Sequence, residues 1–158
     1  LSTGFLFKYD LAKESLDKIL GDIAGLQVKF SADGQKFVYS AHDAGSLQAR
    51  VYIYDLKTEK ASDLQNTGLA EKCSFAETAK NIIYCAISQN TIPAVYPDAW
   101  LKGEALFNDS LWQINFETGE KKLLSDRNFD VKQIWPSPDD KFLYFIEKNN
   151  GSFWSLEI

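Results

Sequence analysis

The chain has 158 residues, 45% of them hydrophobic and 14% aromatic, with a formal net charge of −5. That apolar content supports one packed domain and argues against disorder. The acidic balance, with no basic patch, argues against nucleic acid as a partner and against an anionic membrane surface. No apolar run approaches the roughly 20 residues of a membrane helix, so this segment is not expected to insert. A start at Leu1 and the absence of Met read as a mature or trimmed product.

In chain order, the first element is FLFKYDLAKESLDKIL, residues 5–20: an alternating aromatic strand, a polar tetrad and a second strand. Residues 10–20 alone carry a helical period, but their repeat mates contain Gly119 and are strand-like. VKFSADGQKFVYSA, from Val28, reads as strand, Asp33-Gly34 turn and strand. VYIYDLKTEKASDL, 51–64, repeats the first phrase. CSFAETAKNIIYCA, from Cys73, repeats the second with a poorer turn at Glu77-Thr78-Ala79. A long connection, 89–109, precedes LWQINFETGEKKLL, 111–124. IWPSPDDKFLYFI, from Ile134, and FWSLEI, 153–158, close the chain. Tyr9, Tyr54, Ile114 and Leu156 occupy one repeat position, and Asp10, Asp55, Asn115 and Glu157 the next.

A period of about 45 residues with four strands each predicts all-β propeller blades. A two-sheet sandwich is the rival, but its strands need not repeat a motif in register. The expected units are a partial blade of strands C and D (1–22), a full blade (23–66), a full blade with the 89–109 insertion (67–126) and a partial blade of strands A to C (127–158). About three blade equivalents cannot close a ring of four to eight. The remaining blades of the same polypeptide, or a second copy, are expected to complete it.

FSADGQKFVYSA…VYIYDLKTEK and PSPDDKFLYFI…FWSLEI resemble the repeats of the TolB-like and WD40-like (PD40) β-propeller superfamily, over nearly the whole chain. Ala32 departs from the turn proline of that pattern, and residues 76–80 lose it. The segment EKCSFAETAKNIIYCAISQNTIPAVYPDAWLKGEALFNDSLWQI further resembles envelope-associated bacterial propeller proteins. The resemblance implies a fold and is nearly silent on chemistry.

Candidate sites are few. If Phe75 faces Ile83 across the A–B turn, Cys73 lands opposite Cys85, within disulfide reach. A bridge implies an oxidising compartment, while two reduced core thiols are the other reading. His42 could pair with Asp43 as a general base, with Ser40 or Ser46 near in sequence, but a solvated loop histidine is the plainer expectation. Asp139, Asp140, Asp126 and Asp130 lack calcium-loop spacing and read as turn carboxylates. Asn108 and Asn150 head Asn-x-Ser sequons. No cofactor, catalytic or metal site is expected.

The 89–109 insertion is the most informative segment. Tyr96, Asp98, Trp100, Lys102 and Phe107 form a candidate binding loop, since aromatic side chains on long loops make interface anchors. The opposing reading folds these rings back over a blade edge. Trp112, Trp135 and Trp154 are expected to pack between blades. The function expected is a non-catalytic binding or structural scaffold module, extracytoplasmic, with a protein or peptide partner. The alternative is the accessory propeller of a larger hydrolase, or a glycan- or peptide-binding envelope component.

Overall fold

The structure, a computed structural model, describes residues 2–42, 48–89 and 94–158. It is built from antiparallel sheets. The first is β1 (Thr3–Asp10) with β2 (Ser15–Ala24). The second runs β3 (Gln27–Phe30), β4 (Lys36–His42), β5 (Ala49–Asp55), β6 (Lys60–Thr67). The third runs β7 (Cys73–Phe75), β8 (Ile82–Ser88), β9 (Asp109–Asn115), β10 (Lys121–Phe129). The fourth runs β11 (Val131–Pro136), β12 (Phe142–Glu147), β13 (Phe153–Glu157). These are the expected propeller blades, numbered 1 to 4 below. The helical period of residues 10–20 gives no helix, because it belongs to a hairpin whose aromatic face packs as strand. The outer strands β2 and β10 run to Ala24 and Phe129, beyond the expected ends of their units at 22 and 126.

The repeated acid or amide is explained by the C–D turn. The carboxylate of Asp10 accepts from the amides of Ala12 and Lys13. Asp55 accepts from Lys57 and Thr58, and Asn115 from Glu117 and Thr118. A side chain that mimics a turn carbonyl in this way is why Asp and Asn start such turns. Four residues on, the chain goes left-handed at Glu14, Glu59 and Gly119. The same geometry therefore recurs three times, with glycine once and a strained glutamate twice.

The A–B turns repeat less faithfully. Ser31 donates to Asp33 and accepts from the Lys36 amide, and Ser137 does the same with Asp139 and the Phe142 amide. In blade 3 Ala76 takes the serine's place. Asp140 of blade 4 compensates by accepting from the amides of Glu77 and Thr78 and the Thr78 hydroxyl (2.5–3.0 Å).

Alternate strand residues face opposite neighbours. Phe37 and Tyr39 pack toward blade 1 with Tyr54. Ile83 and Ile114 pack toward blade 2 against Val38, Val51 and Ile53. Leu143, Phe145 and Leu156 pack toward blade 3 against Tyr84 and Leu111. Tyr54, Ile114 and Leu156, equivalent in the repeat, thus make equivalent contacts. The edge strands β3, β7 and β11 lie beside one another, so the sheets fan out from this inner edge.

Candidate functional site

The insertion between β8 and β9 folds back on the propeller. Tyr96, Trp100 and Phe107 are buried, Trp100 to 1% exposure, and pack with Ala99 and Ala105 on Ala49 of β5 and Leu69. Their rings meet at 4.7 Å (Tyr96–Phe107) and 6.1 Å (Trp100–Phe107). The short helix α1 (Asp98–Leu101) carries Trp100 inward and leaves Asp98 half-buried and Lys102 exposed. At its blade 2 end the insertion rests on Gly25. A Cβ there would come within 3.1 Å of Pro97 and 3.2 Å of the Tyr96 carbonyl, and φ is +66°. Only glycine meets both demands cheaply. The three aromatic residues are thus not exposed anchors, because the apolar floor of blade 2 gives them a better site than water.

Beneath these rings lies a buried charge cluster that sequence reasoning did not find. Lys72 ends a 3₁₀ turn (Ala70–Lys72) immediately before β7 and is fully buried. Its ammonium donates to Asp109 (2.6 Å) and Asp130 (3.0 Å). It also sits 3.9 Å from the Phe107 ring centroid and 4.9 Å from that of Trp100. The Trp100 indole N–H donates to Asp130 (2.8 Å), and the Val131 amide to Asp109 (2.9 Å). Lys148 of blade 4 donates to the Trp100 carbonyl, and its own amide donates to the carbonyl of Asp130 (2.7 Å). Burial pushes the Asp109 carboxyl above the usual carboxylate range, and Lys72 and the Val131 amide pull it back. The same burial, with Asp130 and Asp109 nearby, raises the Tyr96 phenol. All three charged side chains are fully buried. They clasp the insertion to blades 3 and 4.

Cys73 and Cys85 are partners in the β7–β8 register, 4.1 Å apart at Cα, and are joined by a disulfide. Both are buried in the interface between blades 2 and 3. The equivalent pairs are apolar, Val28 with Tyr39 and Ile134 with Phe145. His42 is half-buried at the end of β4, not in a solvated loop. Asp43 and Ser46 lie outside the described residues. Ser40 is fully buried, where its hydroxyl accepts from the Ala70 amide (3.2 Å). Asp139 and Asp140 are turn carboxylates, as expected, but Asp130 belongs to the Lys72 cluster. Among the described residues no group of three acidic, cysteine or histidine side chains could hold a metal ion.

The inner strands border an open cavity of about 300 Å³, lined by Val28 and Lys29 of β3, Glu71, and Lys132 and Gln133 of β11. Lys29 donates to the carbonyl of Ile134, two blades away (2.9 Å). Burial lowers its pKa to about 8, and Glu71 acts in the opposite direction.

Blades fanning from a common inner edge define a β-propeller. No protein-family model matches the chain, and no curated protein matches it in sequence. Solved structures do. The chain is similar to TolB from Acinetobacter baumannii at 19% identity and a TM-score of 0.59, covering 94% of this chain and 36% of that one. It is similar to an oligogalacturonate lyase in complex with manganese at 16% identity and 0.62, covering 96% and 40%. It is also similar to the β-propeller domain of the trilobed protease from Pyrococcus furiosus at 9% identity and 0.62, covering 99% and 47%. The fold is therefore a β-propeller fold, shared with these structures, and the chain spans less than half the length of each of the three. Among the described residues no helix is long and apolar enough to cross a membrane, which says nothing of a β-barrel.

Proposed function

We propose that the chain is a non-catalytic binding or structural scaffold module of an extracytoplasmic bacterial propeller protein. One observation carries the reading. The outermost sheet faces hold exposed aromatic rings at positions that make blade-to-blade contacts inside the array. Phe7 and Tyr9, 49% and 55% exposed, occupy the repeat positions of Tyr52 and Tyr54. At the other end Phe153 lies 5.7 Å from Tyr144 and 5.9 Å from Trp135. Apolar patches of this kind mark interfaces, and their register suits a further blade. That blade comes from the rest of the same polypeptide or from a second copy. The Cys73–Cys85 bridge supports an oxidising compartment.

Sedimentation velocity tests the interface. The chain should associate with itself or with co-expressed flanking blades, and Phe7→Asp with Tyr144→Asp should abolish this. A chain that stays monomeric at every concentration and ignores the flanking blades refutes the interface. Free thiols at Cys73 and Cys85 on alkylation in intact cells would refute the compartment. A second reading draws on the likeness to the propeller domain of a protease, itself a hydrolase: an accessory propeller of a larger hydrolase, or a glycan- or peptide-binding envelope component. A hydrolase domain in the same polypeptide would decide for the accessory propeller.

A further inference from the structure

We propose that the cavity on the inner-strand side binds a small monocarboxylate, held between the ammonium groups of Lys29 and Lys132 with the Gln133 amide beside them. This rests on reading the chain as a binding module, and it names the place and the ligand class. At about 300 Å³ the cavity falls at the lower end of small-molecule sites.

Lys29 carries the argument. Its side chain passes blade 3 to reach Ile134 of blade 4, and that one bond satisfies one of three ammonium donors. Among the described residues the ammonium makes no second hydrogen bond, and Glu71 acts on it without one. A half-buried ammonium held by a single neutral carbonyl is costly, and its pKa, lowered mainly by burial, expresses the same cost. An anion taking the remaining donors would remove it. Lys72 is the internal contrast: equally cationic, wholly buried, and already held by two carboxylates.

The other lining groups define the ligand. Two lysines against Glu71 leave one net positive charge, which matches one carboxylate and disfavours a dianion. Gln133 adds an amide donor. Val28 offers a short apolar wall, suited to the carbon skeleton of an organic acid.

Calorimetric titration of the chain with acetate, lactate and gluconate tests this, with glucose as a neutral control and inorganic phosphate as the dianion. Saturable binding of at least one monocarboxylate, without glucose binding, is expected. Lys29→Met and Lys132→Gln should each weaken it about tenfold or more, the loss of one charge-assisted contact. Glu71→Gln should tighten it. Affinity should fall as pH rises past about 8, where Lys29 loses its proton. Lys132 is exposed, so its variant reports even if Lys29→Met does not fold. No saturable binding, tighter binding of phosphate, or binding indifferent to both lysines would overturn the proposal. Association through the end blades without carboxylate binding would sink this inference alone. Carboxylate binding by a chain with inert ends would sink only the scaffold reading.

Discussion

The aromatic residues of the insertion and those of the end strands have exchanged the roles their positions suggest. Tyr96, Trp100 and Phe107 belong to a long loop and are buried. Phe7, Tyr9 and Phe153 belong to regular strands and stand in solvent, Phe153 at 61% exposure. The difference lies in what each ring faces. The insertion rings have blade 2 beneath them and a lysine ammonium against their faces. The end rings have the same chemistry as the internal interfaces but no sheet opposite. Burial in a propeller follows the presence of a neighbouring blade more than membership of a strand.

Removing what the loop rings cover should have the largest effect. Lys72→Met leaves Asp109 and Asp130 buried without their cation. A loss of about 3–5 kcal/mol in chemical denaturation is expected, as for other broken buried pairs. Adding Asp109→Asn and Asp130→Asn should recover part of it, because the penalty belongs to the unpaired carboxylates. Recovery of nothing would mean that Lys72 acts through its packing. Trp100→Ala is next. It deletes a buried ring and a hydrogen bond to Asp130, at about 3–5 kcal/mol. A loss under about 1 kcal/mol, the scale of surface changes, would show that the insertion is not clasped.

Much of this was legible beforehand, and the division is physical. The period-two alternation and the Asp-Leu or Asn-Phe phrase before each turn are local signals, so the strand order followed from them and Cys73 could be set opposite Cys85, while a bridge and two reduced thiols both stayed open. The buried cluster joins residues 72, 109 and 130, which share no motif. Asp130 drew attention only as one acid among several. Lys72 stands in register with Gln27 and Gln133, a polar position in blades 2, 3 and 4, so its type gave no warning. The direction of Trp100 was open because a loop tryptophan satisfies either environment.

Two smaller effects sharpen the contrast. Cys73→Ala with Cys85→Ala should cost about 2–3 kcal/mol, because the bridge closes a short loop in the unfolded chain. The hairpin register should survive, since Phe75 and Ile83 remain partners. The end rings should matter still less to the isolated chain. Phe7→Asp with Tyr144→Asp should cost about 1 kcal/mol, the scale of lost cross-strand contacts such as Tyr144 with Phe153, while abolishing association. A destabilisation of about 3 kcal/mol or more, on the scale of a deleted core ring, would mean that these rings serve the fold of the single chain more than an interface.

The smallest effect concerns a turn, far from either set of rings. Asp55 is held to about 2, below the usual 3.8, first by the Lys36 ammonium at 2.9 Å and then by the Thr58 amide. A carboxyl depressed in the folded state stabilises it above the unfolded pKa. That contribution drains away as pH falls from 3.8 toward 2. Asp109, shifted upward by burial, works in the separate window above 3.8, where protonation favours the folded state. Asp55→Asn should therefore flatten the acid limb of a stability-against-pH curve and lower the plateau above it without changing that plateau's slope. Some slope should persist, since Asp33, Asp139 and Asp140 are also depressed. The turn itself should hold, because Asn115 accepts the same two amides in blade 3 at 3.0 and 3.1 Å. An unchanged acid limb would show that the Lys36 pair is screened by water, as many exposed pairs are.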